Sequence, residues 1–200
     1  MSSIYTDSTL YANNKLGMIN QCLSTIGQRP LVEGTQIESL PVGSEARVAG
    51  DIVTNVMKEI QAKGWYFNTD INFKFLPDSY GFIAVPPSLL RIDVGNTKYR
   101  KNIVLRGNRF YNRESFSYIF TTEIYADAVW LIDYELLPFT AYQYIALRSA
   151  RLFQQKFIGS EDLTVITLKE EEEALETLER EQLQYEDINL VDVSFNRTKF

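Results

Sequence analysis

Apolar residues recur three and four positions apart at Leu16, Ile19, Leu23 and Ile26, which predicts an amphipathic helix over 10–26. Asp7, Ser8 or Thr9 is placed to cap its start, and Gly27 followed by Pro30 to end it. Cys22 lies beside the apolar stripe and reads as a small buried hydrophobe. A second helix is expected over 44–63, with Ala49, Ile52, Val53, Val56 and Ile60 as its buried stripe and Gly64 as a left-handed residue that stops it. A dense aromatic corner follows, Trp65-Tyr66-Phe67-Asn68-Thr69. It suits a hinge between helical and sheet layers, or else a ligand-stacking site.

From Asp70 the period shortens. Apolar runs at 71–76, 82–85, 89–94, 103–105, 109–111, 118–121 and 124–134 are separated by Pro77-Asp78, Gly81, Pro86-Pro87, Gly95-Asn96 and Gly107-Asn108. Short runs with turn chemistry between them predict antiparallel strands in a small sandwich or barrel. The last run alternates Ile124, Ala126, Ala128, Trp130 and Ile132 against a more polar face, as a long strand does.

At Leu137-Pro138 the helical period returns, with Pro138 suited to a first helical position. Tyr142, Ile145, Ala146, Ser149, Leu152 and Phe153 form the expected stripe, and Ala146, Ser149 and Ala150 are small enough for close helix packing. A fourth helix is expected over 161–185, with few apolar positions and a glutamate-rich outer surface. The segment 187–200 shows no helical period and reads as an arm or a frayed end. The expected fold class is therefore α+β: an antiparallel four-helix bundle formed by both ends of the chain (1–66 and 136–186), an inserted small antiparallel β domain (67–135), and a C-terminal arm (187–200).

Composition narrows the chemistry. The chain has 200 residues, enough to bury a real core, and no histidine. That removes Ser-His-Asp and Cys-His catalysis and every histidine-dependent metal site. One cysteine allows no internal disulfide. Paired carboxylates remain open to a hydrolase, but the sequence singles out no pair; Asp127 and Asp133 share a face yet sit far apart. Catalytic, cofactor and metal residues are expected to be none. Of 26 acidic residues, nine fall in 170–187 beside Arg180 alone, which leaves 17 acidic against 19 basic elsewhere. The acidity belongs to one helix, and no clustered basic surface for sequence-reading of nucleic acid is apparent. No apolar stretch is long enough to span a membrane. The N-terminal residues lack the basic start and apolar run of a signal peptide, which predicts a protein kept in the cytosol until assembly.

Several blocks have a joint order and spacing. They are Leu16-Gly17-Met18-Ile19-Asn20 with Ser24-Thr25-Ile26-Gly27 and Pro30; Gly64-Trp65-Tyr66-Phe67-Asn68-Thr69; Leu76-Pro77-Asp78 with Gly81, Pro86 and Leu89-Leu90-Arg91; and Leu105-Arg106-Gly107 with Phe110-Tyr111. Leu137-Pro138, Tyr144-Ile145, Arg148-Ser149-Ala150-Arg151, Phe153-Gln154 and Gly159-Ser160 complete the series. Together, over about 16 to 190, they resemble the tail tubular protein A family of short-tailed bacteriophages. The resemblance implies a structural virion protein and no enzyme: a dodecameric ring adaptor below the portal protein and above the nozzle, tail tubular protein B. Tail fibres would attach near that junction, and double-stranded DNA would pass through without sequence-specific binding. Its place would be the virion tail, and the host cytoplasm during assembly. Two other readings stay open, a tail-associated polysaccharide hydrolase and a generic cytosolic interaction domain.

A closed ring needs one patch on each subunit to meet a different patch on the next, with aromatics and Arg favoured at its centre. Tyr142, Tyr144, Arg148, Arg151 and Phe157 are the candidates, against an ordinary helix whose cations snorkel. Glu171, Glu172, Glu176 and Glu179 would face the channel and keep DNA from sticking, or form a plain solvated face. Phe195, Arg197, Lys199 and Phe200 would dock on the portal.

Overall fold

The computed structural model of the chain describes residues 14–94, 102–159 and 161–197. Among these the architecture is α+β, with four α-helices and two small antiparallel sheets. In chain order they are α1 (Lys15–Ser24), α2 (Glu45–Gln61), β1 (Thr69–Phe75), β2 (Leu89–Asp93), β3 (Ile103–Arg106), β4 (Arg109–Asn112), β5 (Ile124–Trp130), α3 (Phe139–Phe157) and α4 (Glu161–Arg197). Two compact units result, one from residues up to Met57 and from Asp133 onward, the other from Lys58 to Ile132.

In the helical unit α3 packs against both α1 and α4. Helical geometry begins at Lys15, and the extended Asn14 caps it by accepting the Gly17 N–H at 2.7 Å. The cap is thus Asn14 and not Asp7, Ser8 or Thr9, which lie outside the described residues. At Gly17 a Cβ would lie 2.5 Å from the Tyr142 hydroxyl, so glycine is what lets α1 approach α3 there. Asn20 pins the following loop in both directions: its amide donates to the Leu31 carbonyl at 3.1 Å and accepts the Leu31 N–H at 2.7 Å. Gly27 ends the helix in the left-handed region (φ 70°), while the Gln28 N–H reaches back to the Leu23 carbonyl and the Gly27 N–H to that of Ser24.

Cys22 is fully buried in α1, and burial pushes its thiol from 9.0 up to about 12. Because the folded value is the higher one, the stabilisation is complete below the unfolded value and is lost as pH rises through this window. At pH 11 the loss from this group is expected to be about 2 to 3 kcal/mol. Urea denaturation at pH 8 and pH 11 checks it: Cys22→Ala should flatten the decline, and an unchanged difference between the two pH values would refute the assignment.

The buried side of α3 runs through Ala141, Tyr144, Ile145, Ala146, Ser149, Ala150 and Phe153. It is rotated from the expected stripe, since Tyr142 and Leu152 are only partly covered. A helix flanked by two others buries a face wider than a single row. No glycine or proline interrupts 161–197, and α4 continues to Arg197. The segment 187–197, expected as a non-helical arm, is therefore helical: no backbone breaker ends the helix near Tyr185.

In the β unit, β1, β5 and β2 form one antiparallel sheet in that order, and β3 and β4 a hairpin turned at Gly107 (φ 61°). Both sheets feed one core: Phe75, Leu89, Ile124, Ala126 and Ala128 from the first, Ile103 and Phe110 from the second, joined by Ile83 and Phe120. A bulge sits in β1 at Asn72 (φ 57°), where the Asp127 carboxylate accepts the Asn72 N–H at 2.8 Å. Three expected strands are shorter or missing. The run 82–85 makes only an isolated bridge, Ala84 to Arg109, because Pro86 and Pro87 have no N–H to continue it. The run 118–121 makes no strand; the Phe120 N–H closes on the Gly81 carbonyl at 2.8 Å. Strand β5 ends at Trp130, and the Ile132 N–H goes to the Gln61 side chain at 2.9 Å.

The aromatic corner after α2 is a hydrogen-bonded knot within this unit. Gly64 is left-handed (φ 81°), and a Cβ there would meet the Arg91 guanidinium at 2.7 Å and Val129 at 3.0 Å. The Ile60 carbonyl at the helix end accepts both the Lys63 N–H at 3.2 Å and the Trp65 indole N–H at 2.8 Å. The Trp65 backbone N–H turns to the Asn68 side chain at 2.8 Å. Asn68 then donates to the Gln61 carbonyl at 2.9 Å and to that of Trp130 at 2.6 Å, joining the helix end to β5. Trp65 and Asn68 hold the turn, and their side-chain polar groups are engaged by backbone.

Candidate interaction surfaces

The five α3 residues expected at a subunit contact separate into different roles. Tyr144 is 2% exposed and belongs to the monomer core, which corrects its assignment to an interface. Tyr142 is half-buried; its hydroxyl donates to the Asn14 carbonyl at 3.3 Å, and burial raises its phenol above the ordinary value. Arg148 and Arg151 are turned onto one carboxylate of α4. The Arg148 guanidinium donates to Glu171 at 2.9 Å, and Arg151 makes a very short bond to the other Glu171 oxygen. Arg151 also donates to Gln155 at 3.1 Å. Their spacing of three places both guanidinium groups on the same side of α3, so the cations expected at a partner are engaged within the chain. Phe157 is 40% exposed and packs against Phe153 in a tilted arrangement, with ring centroids 4.6 Å apart.

Glu171, expected to face a channel, is 5% exposed and clamped by those two arginines. This too is a correction: one glutamate in the acidic run is the internal lock between α3 and α4. Glu172, Glu176 and Glu179 are exposed, and a spacing of four and three keeps them along one face of α4. Opposite this acidic face, Leu178 is fully buried, which sets the rotation of the helix. Phe195 and Arg197 lie in the last turn of α4, but their side chains, and Lys199 and Phe200 entirely, fall outside the described residues.

Other exposed apolar groups escaped the sequence reading. Leu136 and Phe139 stand out at the start of α3. On the β unit, Tyr80, Phe116 and Ile119 are exposed, and Phe116 adopts φ 54°, a conformation bulky residues rarely hold. Hydropathy placed Ile119 inside a strand, so its exposure was not legible in that pattern. Lys74 and Glu123 form an exposed pair at 3.6 Å; Glu123, with Tyr125, raises the Lys74 ammonium value. Among the described residues no group of three or more Cys, Asp or Glu could hold a metal ion, and no helix is long and apolar enough to cross a membrane.

Arg148, Arg151 and Glu171 thus hold elements of the chain together, beside an acidic face of α4. A family model described as tail tubular protein matches residues 16–188, and the chain belongs to that family. It is a structural component of a phage virion tail. No curated protein matches the chain.

Proposed function

We propose that this protein assembles as a dodecameric ring adaptor between the portal and the nozzle, tail tubular protein B, of a short-tailed phage. The observation that carries the reading is the family match over nearly the whole chain. Tail fibres attach near the junction, and DNA passes through the ring. The helical part forms the ring body as an antiparallel four-helix bundle, with Phe157 and the exposed edge of Tyr142 in the subunit contact. Glu172, Glu176 and Glu179 line the channel, where like charge repels the phosphate backbone and holds no condensed contact. The C-terminal residues Phe195, Arg197, Lys199 and Phe200 engage the portal.

Negative-stain microscopy of the purified protein, alone and with portal, tests the proposal. A closed ring is the expected result in at least the second case; a persistent monomer with no portal affinity would refute it. Particles assembled with Glu172→Lys/Glu176→Lys should eject DNA more slowly, and wild-type ejection would remove the channel placement while leaving the ring intact.

A further inference from the structure

We propose that the β3–β4 hairpin of one copy docks into an acid-walled trough on the helical unit of the next copy. Arg106 and Arg109 are paired directly across the two strands, on either side of the Gly107-Asn108 turn, and both are exposed. Paired positions share a face, so two like charges rise from Cβ atoms about 5 Å apart, an unfavourable arrangement if nothing offsets it. Each is held instead by a ring of the same unit. The Arg106 guanidinium lies 3.7 Å from the Tyr111 ring centroid, and that of Arg109 lies 4.1 Å from the Phe82 centroid. Stacking fixes the guanidinium planes and leaves their N–H edges for a carboxylate. Among the described residues neither arginine has an ion-pair partner. The tip is a preset double cation, and it fits a pair of carboxylates.

The helical unit carries such a pair. A cavity of about 520 Å³ opens between Gln21 of α1, Gln143 and Leu147 of α3, and Glu170 and Glu173 of α4. Both glutamates are exposed, and their spacing of three sets their Cβ atoms about 5 to 6 Å apart on one face, close to the separation of the two arginines. Among the described residues Glu170 has no cation partner, and Glu173 has the exposed Lys169 at 3.9 Å. Glu172, Glu176 and Glu179 point to another side of α4, so this contact leaves the proposed channel face free. Charge complementarity thus names the occupant as a second copy of this chain. Hairpin and trough are different surfaces of one subunit, which is what a head-to-tail ring contact requires. The inference rests on the ring reading and adds to it a steered, salt-sensitive contact.

Charge reversal in the full chain tests this, with rings counted by negative-stain microscopy in the presence of portal. Arg106→Glu/Arg109→Glu and Glu170→Arg/Glu173→Arg should each lower ring yield at least about tenfold, since like charges then face each other. All four changes in one chain should restore most of the yield. Circular dichroism verifies that every variant is folded. Rings of wild-type yield from either pair, or a fourfold variant no better than the pairs, would overturn the contact while leaving the ring reading intact. Absence of rings from the wild-type chain would overturn both. DNA binding that is lost with the two arginines while rings persist would assign the hairpin to phosphate and overturn the proposal. Cross-linking gives an independent check, because Cys22 is buried and does not compete. Chains carrying Asn108→Cys, mixed with chains carrying Gln143→Cys, should oxidise to mixed dimers of one chain of each kind. No cross-link, or dimers of like chains only, would count against the placement. So would a disulfide closed within one chain that carries both changes, because the hairpin would then sit on its own subunit.

Discussion

Asn68→Ala is expected to lower the unfolding free energy of the β unit by about 2 to 5 kcal/mol: the Trp65 N–H and the Trp130 carbonyl lose this partner at about 1 to 3 kcal/mol each with partial relaxation, while the Gln61 carbonyl keeps the Gly64 N–H at 3.1 Å. Asn68 is 3% exposed, and its side chain serves the Trp65 N–H and the Gln61 and Trp130 carbonyls at once. Asn68→Asp separates hydrogen bonding from volume. It keeps an acceptor for Trp65 but sets a carboxylate against two carbonyl oxygens, so it should cost at least as much as alanine at neutral pH. The chain has two tryptophans, Trp65 and Trp130, and both flank this knot. Their fluorescence in a urea titration therefore reports the unit concerned. A loss below about 1 kcal/mol, the worth of one ordinary hydrogen bond, would show that the knot is not a shared support.

The second large effect belongs to the helical unit. Glu171→Ala is expected to cost about 3 to 5 kcal/mol, because it leaves Arg148 and Arg151 partly buried with their shared carboxylate removed. The side chains of Glu171, Arg151 and Arg148 are 7%, 13% and 24% exposed. Salt should weaken this contact much less than the exposed Lys15–Glu38 and Lys74–Glu123 pairs. Glu171→Gln retains the volume and one acceptor, and should fall between alanine and the parent. Replacing all three charges together, as Arg148→Met/Arg151→Leu/Glu171→Leu, should recover most of the loss, since desolvation offsets much of what such a cluster contributes. Far-UV circular dichroism during denaturation follows the helices. A Glu171→Ala cost under about 1 kcal/mol would reduce the cluster to an ordinary surface contact.

Asn68 lies in a block that carries the family resemblance, and Glu171 is held by Arg148 and Arg151, which lie in another. Gly17 admits Tyr142, Asn20 ties down Leu31, Gly64 leaves room for Arg91 and Val129, and Asn68 bridges helix and strand. Sequence spacing made the blocks visible because several of them are local turns or helix ends with their own backbone requirements. It did not reveal the jobs, since most of the partners lie far along the chain: Gln61 to Ile132 spans 71 positions and Asn14 to Tyr142 spans 128. Asp127 and the arginines of α3 show the same effect. A carboxylate considered for catalysis accepts a bulge N–H, and cations considered for a neighbouring subunit hold a glutamate of the same chain.

Taken alone, the order of residues determined that four helices and a set of short antiparallel strands form, and to which family the chain belongs, but not the start of α1, the end of α4 or every strand. Those features follow from periods of 3.6 and 2 and from glycine and proline at turns, all of which act over a few neighbouring residues. Tertiary structure alone decided how far α3 is rotated, which tyrosine of Tyr142 and Tyr144 turns inward, and that Glu171 is enclosed while Glu172 meets solvent. A helix has the same local energy at any rotation about its axis. The neighbours that cover it break that degeneracy, and a pattern read along one helix does not contain them.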